Sequence, residues 1–498
     1  MKRALLCFAA VSLVLMLVPA AWADTSIAIV TRDQTALRSA PRDSAKANTL
    51  LWQGEALEVR GERLDYLQVW DHRLERGGFV SARQVRRVKL DEAGAAELLA
   101  VLRFLRDTPG SEALGIGYAA AFIQAATADT LRGPDGAEAL DALGTFAERL
   151  ARGASSAAAA TKSAQAAQTA HLEIAMHYGV AFSTYERDDR MIVCYEGDAF
   201  RHVLASTKSG AELRARAVLA LTRLECTPGD VRPTEKRATD EMRADLLDRI
   251  DVAELPPYLR NRVLMRRAAV WNSLAFQSAR RGESSQSSAA RALQELAHVA
   301  KEELTDDDQR TYADAAMRVN ASRWAATLPP QKAPSRPGDR ARITTVAGQP
   351  GETCVLLVDA KHDGANPLAK RCTYGMVWEE SATLNREGNA LVVAVQHTES
   401  WREMWVFRRS SGTWNVRTLP PAAASPAVGY AEFAGWVPGG NQVLVARECM
   451  SDGKYLRRYS LVRVDSLTTV GEATDPSLLP AFQRWQDPAW KQATLSLR

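Results

Sequence analysis

The sequence has few of the residues and none of the short motifs on which common enzyme classes depend. Seven histidines and six cysteines occur among 498 residues, and the formal net charge is only +4. The chain contains no Walker loop, no Gly-x-Ser-x-Gly elbow and no Cys-x-x-Cys pair. These absences argue against nucleotide-fuelled chemistry, serine hydrolysis and a zinc site. The balanced charge gives no indication of a nucleic-acid partner.

The histidines are scattered along the sequence, which argues against a metal site and against a cysteine–histidine catalytic pair. His171 and His177 are six residues apart and face different sides of a helix, whereas a zincin site needs an i, i+4 pair. Cys449 is the cysteine left for a nucleophile, but no histidine follows it, and the nearest in sequence is His397. We therefore predict no catalytic residue, no metal site and no cofactor.

Long apolar runs are also scarce, and the prominent one lies at the start of the chain. Two basic residues precede an apolar run over 4–18, and the tripeptide Ala-Trp-Ala follows at 21–23. This order is typical of a secretory signal peptide over 1–23, and the run is shorter than the ~20 residues of a spanning helix. We predict a periplasmic or secreted protein, mature from about Asp24 and peripheral to a membrane at most.

The cysteines that follow this segment number five, and export would place them in an oxidising compartment. The local pairs Cys194–Cys226 and Cys354–Cys372 are the expected disulfides, which leaves Cys449 over. Spacing alone also permits a bond between Cys372 and Cys449 with Cys354 free.

Residues 26 to about 89 have the character of short strands divided by proline, glycine or charged turns. This spacing is typical of a small β-barrel. The strand-like runs are 27–30, 36–38, 56–59, 66–70 and 78–80.

The motifs of this segment resemble those of bacterial SH3 domains. The family's opening pattern is echoed by Ala-Leu-Arg-Ser-Ala-Pro at 36–41, and its middle strand and turn by 51–59. Its closing motifs correspond to 65–69 and 78–80, although Ala40 stands for a usual glycine and phenylalanine for a usual tryptophan. The resemblance implies a small barrel over 24–89.

The same resemblance implies an aromatic ligand groove in this segment, formed by Trp52, Tyr66, Trp70 and Phe79. Twelve Lys/Arg against eight Asp/Glu over 26–89 favour an anionic partner, such as the stem peptides of peptidoglycan. An ordinary solvated surface would show the same modest excess. The expected partners are therefore peptidoglycan or envelope proteins.

Residues 90–327 change to alanine, leucine, arginine and glutamate, with apolar residues at three- and four-residue spacing. This pattern predicts an all-α domain of antiparallel helix pairs, similar in architecture to a solenoid but without a fixed repeat period. The helix candidates are 91–106, 114–131, 136–152, 155–182, 198–207, 211–224, 234–250, 257–281, 284–303 and 306–325.

Residues 328–343 contain four prolines, a composition that is typical of a linker. In 344–498, three glycine turns lead into apolar strands at 350–358, 386–394 and 438–446. This arrangement resembles the blades of TolB-like or WD40-like β-propellers. Three repeats are too few to close a propeller, so we expect a β-rich domain built as a hairpin-rich sheet or sandwich.

Six tryptophans of this last region are candidates for a carbohydrate-binding platform, although core packing is the interpretation we favour. They are Trp401, Trp405, Trp414, Trp436, Trp485 and Trp490.

The sequence thus predicts a multidomain α+β protein with a small SH3-like β-barrel, an all-α, solenoid-like middle domain and a C-terminal all-β domain of hairpins or blades. We expect an exported, non-enzymatic envelope protein. The alternatives are a cell-wall hydrolase or its accessory, and a structural protein with no ligand at the SH3-like module. The sequence leaves the oligomeric state open.

Overall fold

The computed structural model describes residues 26–156, 161–187, 190–327, 340–422, 428–451 and 454–497. These residues form α-helices and mainly antiparallel sheets, so the chain belongs to the mixed α+β class. The predicted signal peptide over 1–23 lies outside them, as does most of the predicted linker. Internal contacts divide the chain into two compact units, Met1–Val180 and Ala181–Arg498. None of the described helices is long and apolar enough to cross a membrane.

The first unit begins with seven strands, of which five contain the predicted runs. They are β1 (Ser26–Val30), β2 (Thr35–Arg38), β3 (Ala47–Leu51), β4 (Ala56–Arg63), β5 (Tyr66–Asp71), β6 (Arg76–Ser81) and β7 (Val85–Lys89). Their order in the sheet is β3-β2-β6-β5-β4-β1-β7. In the described residues the end strands β3 and β7 do not pair, so the closed barrel predicted from the sequence is not formed. Strands β3 and β7 lack clear apolar alternation, which is why the pattern missed them.

The core of this sheet lies on one face. Leu67 and Val69 of β5 pack with Val80 of β6 and with Leu37 of β2. Successive side chains of a strand point to opposite faces, so the residues between these apolar positions face away from the core.

Five helices follow the sheet in this unit. They are α1 (Glu92–Arg106), α2 (Glu112–Ala125), α3 (Ala128–Arg132), α4 (Pro134–Ser156) and α5 (Lys162–His177). The helix predicted over 114–131 is divided because Thr127 starts a new helix, its hydroxyl accepting a hydrogen bond from the Thr130 backbone N–H. The helix predicted to reach 182 ends at His177, and Gly179 follows with a positive φ of 82°.

The second unit begins with a hairpin inside the region predicted to be all-α, which corrects that prediction. Strands β8 (Phe182–Arg187) and β9 (Arg190–Tyr195) pair in antiparallel register. Their β-branched and aromatic residues favour strand structure, and this preference outweighs the helical pattern of the flanking sequence.

The helices of the second unit agree with the prediction to within a few residues, except that the last two are shorter and each is followed by a short 3-10 segment. They are α6 (Asp198–Ala205), α7 (Ala211–Leu221), α8 (Pro233–Asp248), α9 (Pro257–Arg280), α10 (Gln286–Ala297) and α11 (Asp306–Ala321). Helix α9 is central, because its Val263 packs in one core cluster and its Leu264 in another. A 3-10 helix over Arg323–Ala326 ends the helical part.

The C-terminal β region consists of two sheets. Its strands are β10 (Arg342–Ala347), β11 (Thr353–Val358), β12 (Ala369–Thr373), β13 (Met376–Leu384), β14 (Ala390–Thr398), β15 (Trp401–Ser410), β16 (Thr413–Leu419), β17 (Val428–Trp436), β18 (Gln442–Ser451), β19 (Lys454–Arg463) and β20 (Thr469–Ala473). Strands β10-β11-β12 form the small sheet, and β13-β14-β15-β17-β18-β19-β20, with β16 on β15, form the large one.

The two sheets share a core. Val355 and Leu357 of the small sheet pack with Val393 and Trp405 of the large sheet. The opposite face of the large sheet carries a second core that includes Val392 and other apolar side chains. Two helices, α12 (Pro480–Trp485) and α13 (Pro488–Leu497), follow the last strand, so the region is not all-β as predicted.

Both predicted disulfides are present. Cys194 bonds with Cys226 and Cys354 bonds with Cys372, while Cys449 is free and buried. The alternative pairing of Cys372 with Cys449 is therefore wrong. Two disulfides fit an oxidising compartment.

The Cys194–Cys226 bond joins β9 to the segment between α7 and α8 across a sequence separation of 32 residues. Replacing both cysteines by serine is expected to lower the free energy of unfolding by about 3 kcal/mol, because the unfolded chain gains conformational freedom. Urea denaturation of the variant and of the wild-type protein without reductant measures this difference. Equal midpoints and slopes would contradict the expectation.

Candidate functional site

Three of the four predicted groove residues share the outer face of the β5–β6 hairpin. Trp70 lies opposite Gly77 and Tyr66 lies opposite Ser81, while Phe79 lies opposite Gln68. Directly opposed residues point to the same face, and Gln68 lies two positions from both Tyr66 and Trp70 on β5. The three aromatic residues therefore line one surface of the sheet, here called the aromatic face, on the side away from the core.

Trp70 is held in the aromatic face from two directions. A Cβ atom added to Gly77 would lie 2.8 Å from Trp70 Cε3, so the indole lies directly against the glycine backbone. The Arg60 guanidinium carbon lies 4.5 Å from the centroid of the ring, within cation–π range. Trp70 is half-buried. The Trp70 ring is thus held between the Gly77 backbone and Arg60, whose guanidinium also pairs with Glu58, the residue opposite Trp70 on β4.

The other two aromatic residues differ in exposure. Tyr66 is 7% exposed, and its hydroxyl donates a hydrogen bond to Asp43. This hydrogen bond raises the pKa of Tyr66, because it stabilises the protonated phenol. Phe79 is half-buried and pairs in register with Arg38 of β2. The aromatic face thus has two half-exposed rings, those of Trp70 and Phe79. Arg60 lies beside the first ring, and Arg38 lies opposite the second on the neighbouring strand.

Trp52, the fourth predicted groove residue, lies at a different place. Its ring meets His171 of α5 edge-on, with the centroids 6.4 Å apart. His171 Nε2 is 2.8 Å from Asp33 Oδ1, and Asp33 also accepts a hydrogen bond from the Gln53 backbone N–H. The described contacts of Trp52 therefore place it between sheet and helix rather than on the aromatic face.

The Gly54–Glu55 turn beside Trp52 is packed against helices. The Tyr178 hydroxyl donates to the Gly54 carbonyl at 2.8 Å. Glu55 is 6% exposed, and burial raises the pKa of its carboxyl although Arg73 and Arg76 act in the opposite direction. This end of the module is a packing surface, whereas Trp70 and Phe79 stay partly accessible.

The free cysteine is buried, and its thiol is not activated as a nucleophile. Cys449 lies on β18 and is 5% exposed. Burial raises the pKa of its thiol, with Arg458 and Arg447 opposing, so the nucleophilic thiolate is disfavoured. His397 is engaged elsewhere, with its Nε2 2.8 Å from Glu403 Oε1.

One group of potential metal ligands converges within the described part of the chain. It consists of Glu352, Cys354 and Cys372. Both cysteines are joined in a disulfide, so neither offers a thiolate. This group does not have the chemistry of a metal site.

The tryptophans considered as a carbohydrate platform are mostly core residues. Trp401, Trp405, Trp414 and Trp490 are each at most 7% exposed, whereas Trp485 is 44% exposed. Their dispersal through the core agrees with the packing interpretation.

A second candidate site, which the sequence analysis missed, lies in the second unit. A partly open cavity of about 360 Å³ is bordered by the large sheet, the 3-10 helix Arg323–Ala326 and the start of α13. Arg402 of β15 lines it and is 0% exposed, and Glu432 of β17 is 7% exposed. The sequence feature that could have indicated this site is Arg402, because it is a charged residue on the same strand face as the apolar Met404 and Val406.

Glu432 lies between two arginines in this cavity. Its Oε1 forms an ion pair with Arg323, and its Oε2 is 3.5 Å from Arg402 Nη2. Burial lowers the pKa of Arg402 to about 10, with Glu432 opposing the shift and Arg323 adding to it, so the guanidinium stays charged at neutral pH. Within the described residues, Arg402 Nε and Nη1 have no hydrogen-bond partner.

Comparison with known proteins gives no matching family model, no similar curated sequence and no matching solved structure.

Proposed function

We propose that the protein is an exported, non-enzymatic binding protein of the cell envelope. Its sheet over 26–89 acts as an SH3-like module, and the aromatic face of that module binds an acidic peptide of the peptidoglycan stem type. The observation that carries the proposal is the shared outer face of Tyr66, Trp70 and Phe79, with Arg60 over the Trp70 ring.

The chemistry of the aromatic face matches such a ligand. Half-exposed rings offer apolar contact area at little cost in side-chain entropy, and arginine beside them offers charge-assisted hydrogen bonds to carboxylates. The excess of basic residues over 26–89 adds a long-range attraction for an anionic partner.

Two further observations support binding rather than hydrolysis. The buried thiol of Cys449 has a raised pKa, and the His397 ring is paired with Glu403. Neither group is prepared for nucleophilic attack. The two disulfides support an oxidising location, as an envelope protein would have.

Replacing Trp70 with alanine is expected to weaken co-sedimentation with purified peptidoglycan at least tenfold, because loss of a central aromatic contact costs about 2 kcal/mol or more. Gly77→Ala is expected to weaken binding as well, since the added methyl group displaces the Trp70 ring. Gly210→Ala is the control, because Gly210 lies in the second unit, has a φ of −68° and a Cβ atom added there meets nothing within 4 Å.

The outcomes separate the proposal from its alternatives. If the wild-type protein does not co-sediment with peptidoglycan, the wall-binding proposal is wrong. If Trp70→Ala binds as well as the wild type, the aromatic face is not the site. Cleavage of muropeptides that is abolished by Cys449→Ala would instead establish a hydrolase.

A further inference from the structure

An open groove of about 360 Å³ lies where an edge of the small sheet meets an edge of the large sheet in the second unit. One wall is formed by 369–371 of β12 and the other by 414–416 of β16. Among the described residues, β12 pairs only with β11, and β16 pairs only with β15. Each wall is therefore a strand with one side of its backbone unpaired, and such an edge is a template for a further strand.

The two edge strands contain basic residues and no acidic ones. Lys370 and Arg371 lie on β12, and Arg417 lies on β16. Lys370 and Arg417 are exposed, and Arg371 is half-buried. None of the three forms an ion pair with a residue that the structure describes. Their positive charge is therefore available to an anionic partner.

The Arg371 side chain is held in position at the groove. Its guanidinium carbon lies 4.7 Å from the centroid of the Trp405 ring, within cation–π range. Glu403 interacts electrostatically with Arg371, but its Oε1 already accepts a hydrogen bond from Trp405 and lies 2.8 Å from His397 Nε2. This one carboxylate does not balance the three basic residues of the two strands.

Strand β12 is also a firm template. Its residues pair in continuous register with β11, and the disulfide between Cys354 and Cys372 links the two strands. Lys370 and Arg371 are consecutive, so their side chains point to opposite faces of the small sheet. A strand added at this edge would therefore meet one basic side chain on each face.

We propose that the free edge of β12 binds an extended acidic segment of a partner polypeptide, which adds to the three-stranded small sheet as a further strand. Backbone hydrogen bonds to β12 hold the segment, and two adjacent carboxylates pair with Lys370 and Arg371 across the strands. A second copy of this chain fits the edge less well, because antiparallel pairing of β12 with itself brings the basic residues of both copies together. The site lies in the second unit and does not depend on the aromatic face.

Fluorescence anisotropy of a labelled acidic peptide, Thr-Val-Glu-Glu-Val-Thr-Val, titrated with the full chain tests the proposal. We expect saturable binding that weakens as the salt concentration rises, and slower amide hydrogen exchange of β12 in the complex. Replacing Glu-Glu by Lys-Lys in the peptide tests the charge. The peptide Thr-Pro-Glu-Glu-Pro-Thr-Pro tests the strand pairing, since proline lacks the N–H. Each of these two peptides is expected to bind at least about fivefold more weakly.

Lys370→Glu is expected to lower the affinity for the acidic peptide at least about fivefold, because it places a like charge opposite a carboxylate of the peptide. Lys370 is exposed, so the change leaves the core intact. Lys208→Glu is the matched control, because it reverses the charge of an exposed lysine of the same unit, between α6 and α7. It should bind the peptide as the wild type does. Trp70→Ala should also leave this binding unchanged, which separates the β12 edge from the aromatic face.

Four results would overturn the proposal. They are the absence of acidic-peptide binding up to about 1 mM, an unchanged affinity of Lys370→Glu, a complex in which β12 exchanges as fast as in the free protein, and equal binding of either control peptide. A dimer seen by sedimentation, in which β12 exchange is slowed without any peptide, would also overturn it, in favour of a second copy at this edge.

Discussion

Replacing Gly54 with alanine is expected to lower the free energy of unfolding of the first unit by roughly 3 to 5 kcal/mol. Gly54 has a φ of 93°, a conformation that disfavours any residue with a Cβ atom. The added Cβ would also lie 2.2 Å from the carbonyl oxygen of Ala113 in α2. Because that oxygen belongs to the backbone, no side-chain rotation relieves the overlap, and the helix has to move.

Gly110→Ala is the matched control for this prediction. Gly110 has a φ of 80°, but a Cβ atom added there meets nothing within 4 Å. It therefore shares the conformational penalty of about 1 to 2 kcal/mol without the overlap. Urea denaturation gives the overall loss for each variant, and hydrogen exchange of α2 peptides assigns it to the contact. Equal losses for the two variants would mean that the turn and α2 are not packed as described.

The result bears on the proposed role of the sheet over 26–89. A large loss for Gly54→Ala means that one end of the sheet is part of the core of the first unit. The binding that we propose for this sheet is then confined to surfaces that the helices leave open, such as the aromatic face with Trp70 and Phe79.

Replacing Asp240 with alanine is expected to destabilise the second unit by about 3 to 5 kcal/mol, because the change leaves the buried guanidinium of Arg243 without its carboxylate partner. Asp240 is 1% exposed, and its Oδ2 accepts hydrogen bonds from Lys236, Ser273 and Gln277. Its Oδ1 accepts one from Arg243, which is itself 4% exposed.

Asp245→Ala, on the same helix, provides the comparison. The Asp245 side chain is 62% exposed and pairs with Arg249, which is 65% exposed. A solvent-exposed pair of this kind contributes at most about 1 kcal/mol. Thermal and urea unfolding of both variants measures the contrast. A loss below about 1 kcal/mol for Asp240→Ala would show that the buried network is dispensable.

The Asp240 network also joins the helices to the large sheet. Lys236 forms an ion pair with Glu399 at 2.9 Å, and the Asn272 side chain donates to the Glu399 carbonyl. Gln396 of β14 donates to the Ser322 hydroxyl. Helices and sheet therefore belong to one compact unit, although the composition of 328–343 is that of a linker. The domain boundaries at 89 and 327 stay predictions.

The parts of the fold that follow from local pattern were predictable. Most helix bounds and strand positions agree, because burial periodicity and capping residues act over a few positions. Both disulfides were predicted from short sequence separations. The hairpin β8–β9 was missed because a short apolar segment between helices fits either structure.

The candidate sites could be predicted from local sequence only in part. Tyr66, Trp70 and Phe79 share a face because β5 and β6 are consecutive, and their register follows from a tight connection. Trp52 is also aromatic and close in sequence, yet it meets His171, a residue 119 positions later, and no local pattern signals that contact.

The sequence by itself determined the α+β class and most of the elements, since each depends on neighbours along the chain, and it favoured the cysteine pairs that the structure contains without excluding a Cys372–Cys449 bond. Only the tertiary structure decided that the sheet over 26–89 stays open, that α2 covers the Gly54 turn and that Arg402 is buried with donors that no described residue accepts. The parallel pairing of β15 with β17 places Arg402 beside Tyr430. Arg402 also contacts Glu432, which lies two residues after Tyr430 on β17. Such contacts join residues that are distant in sequence, and their stability depends on how the whole chain packs rather than on any local segment.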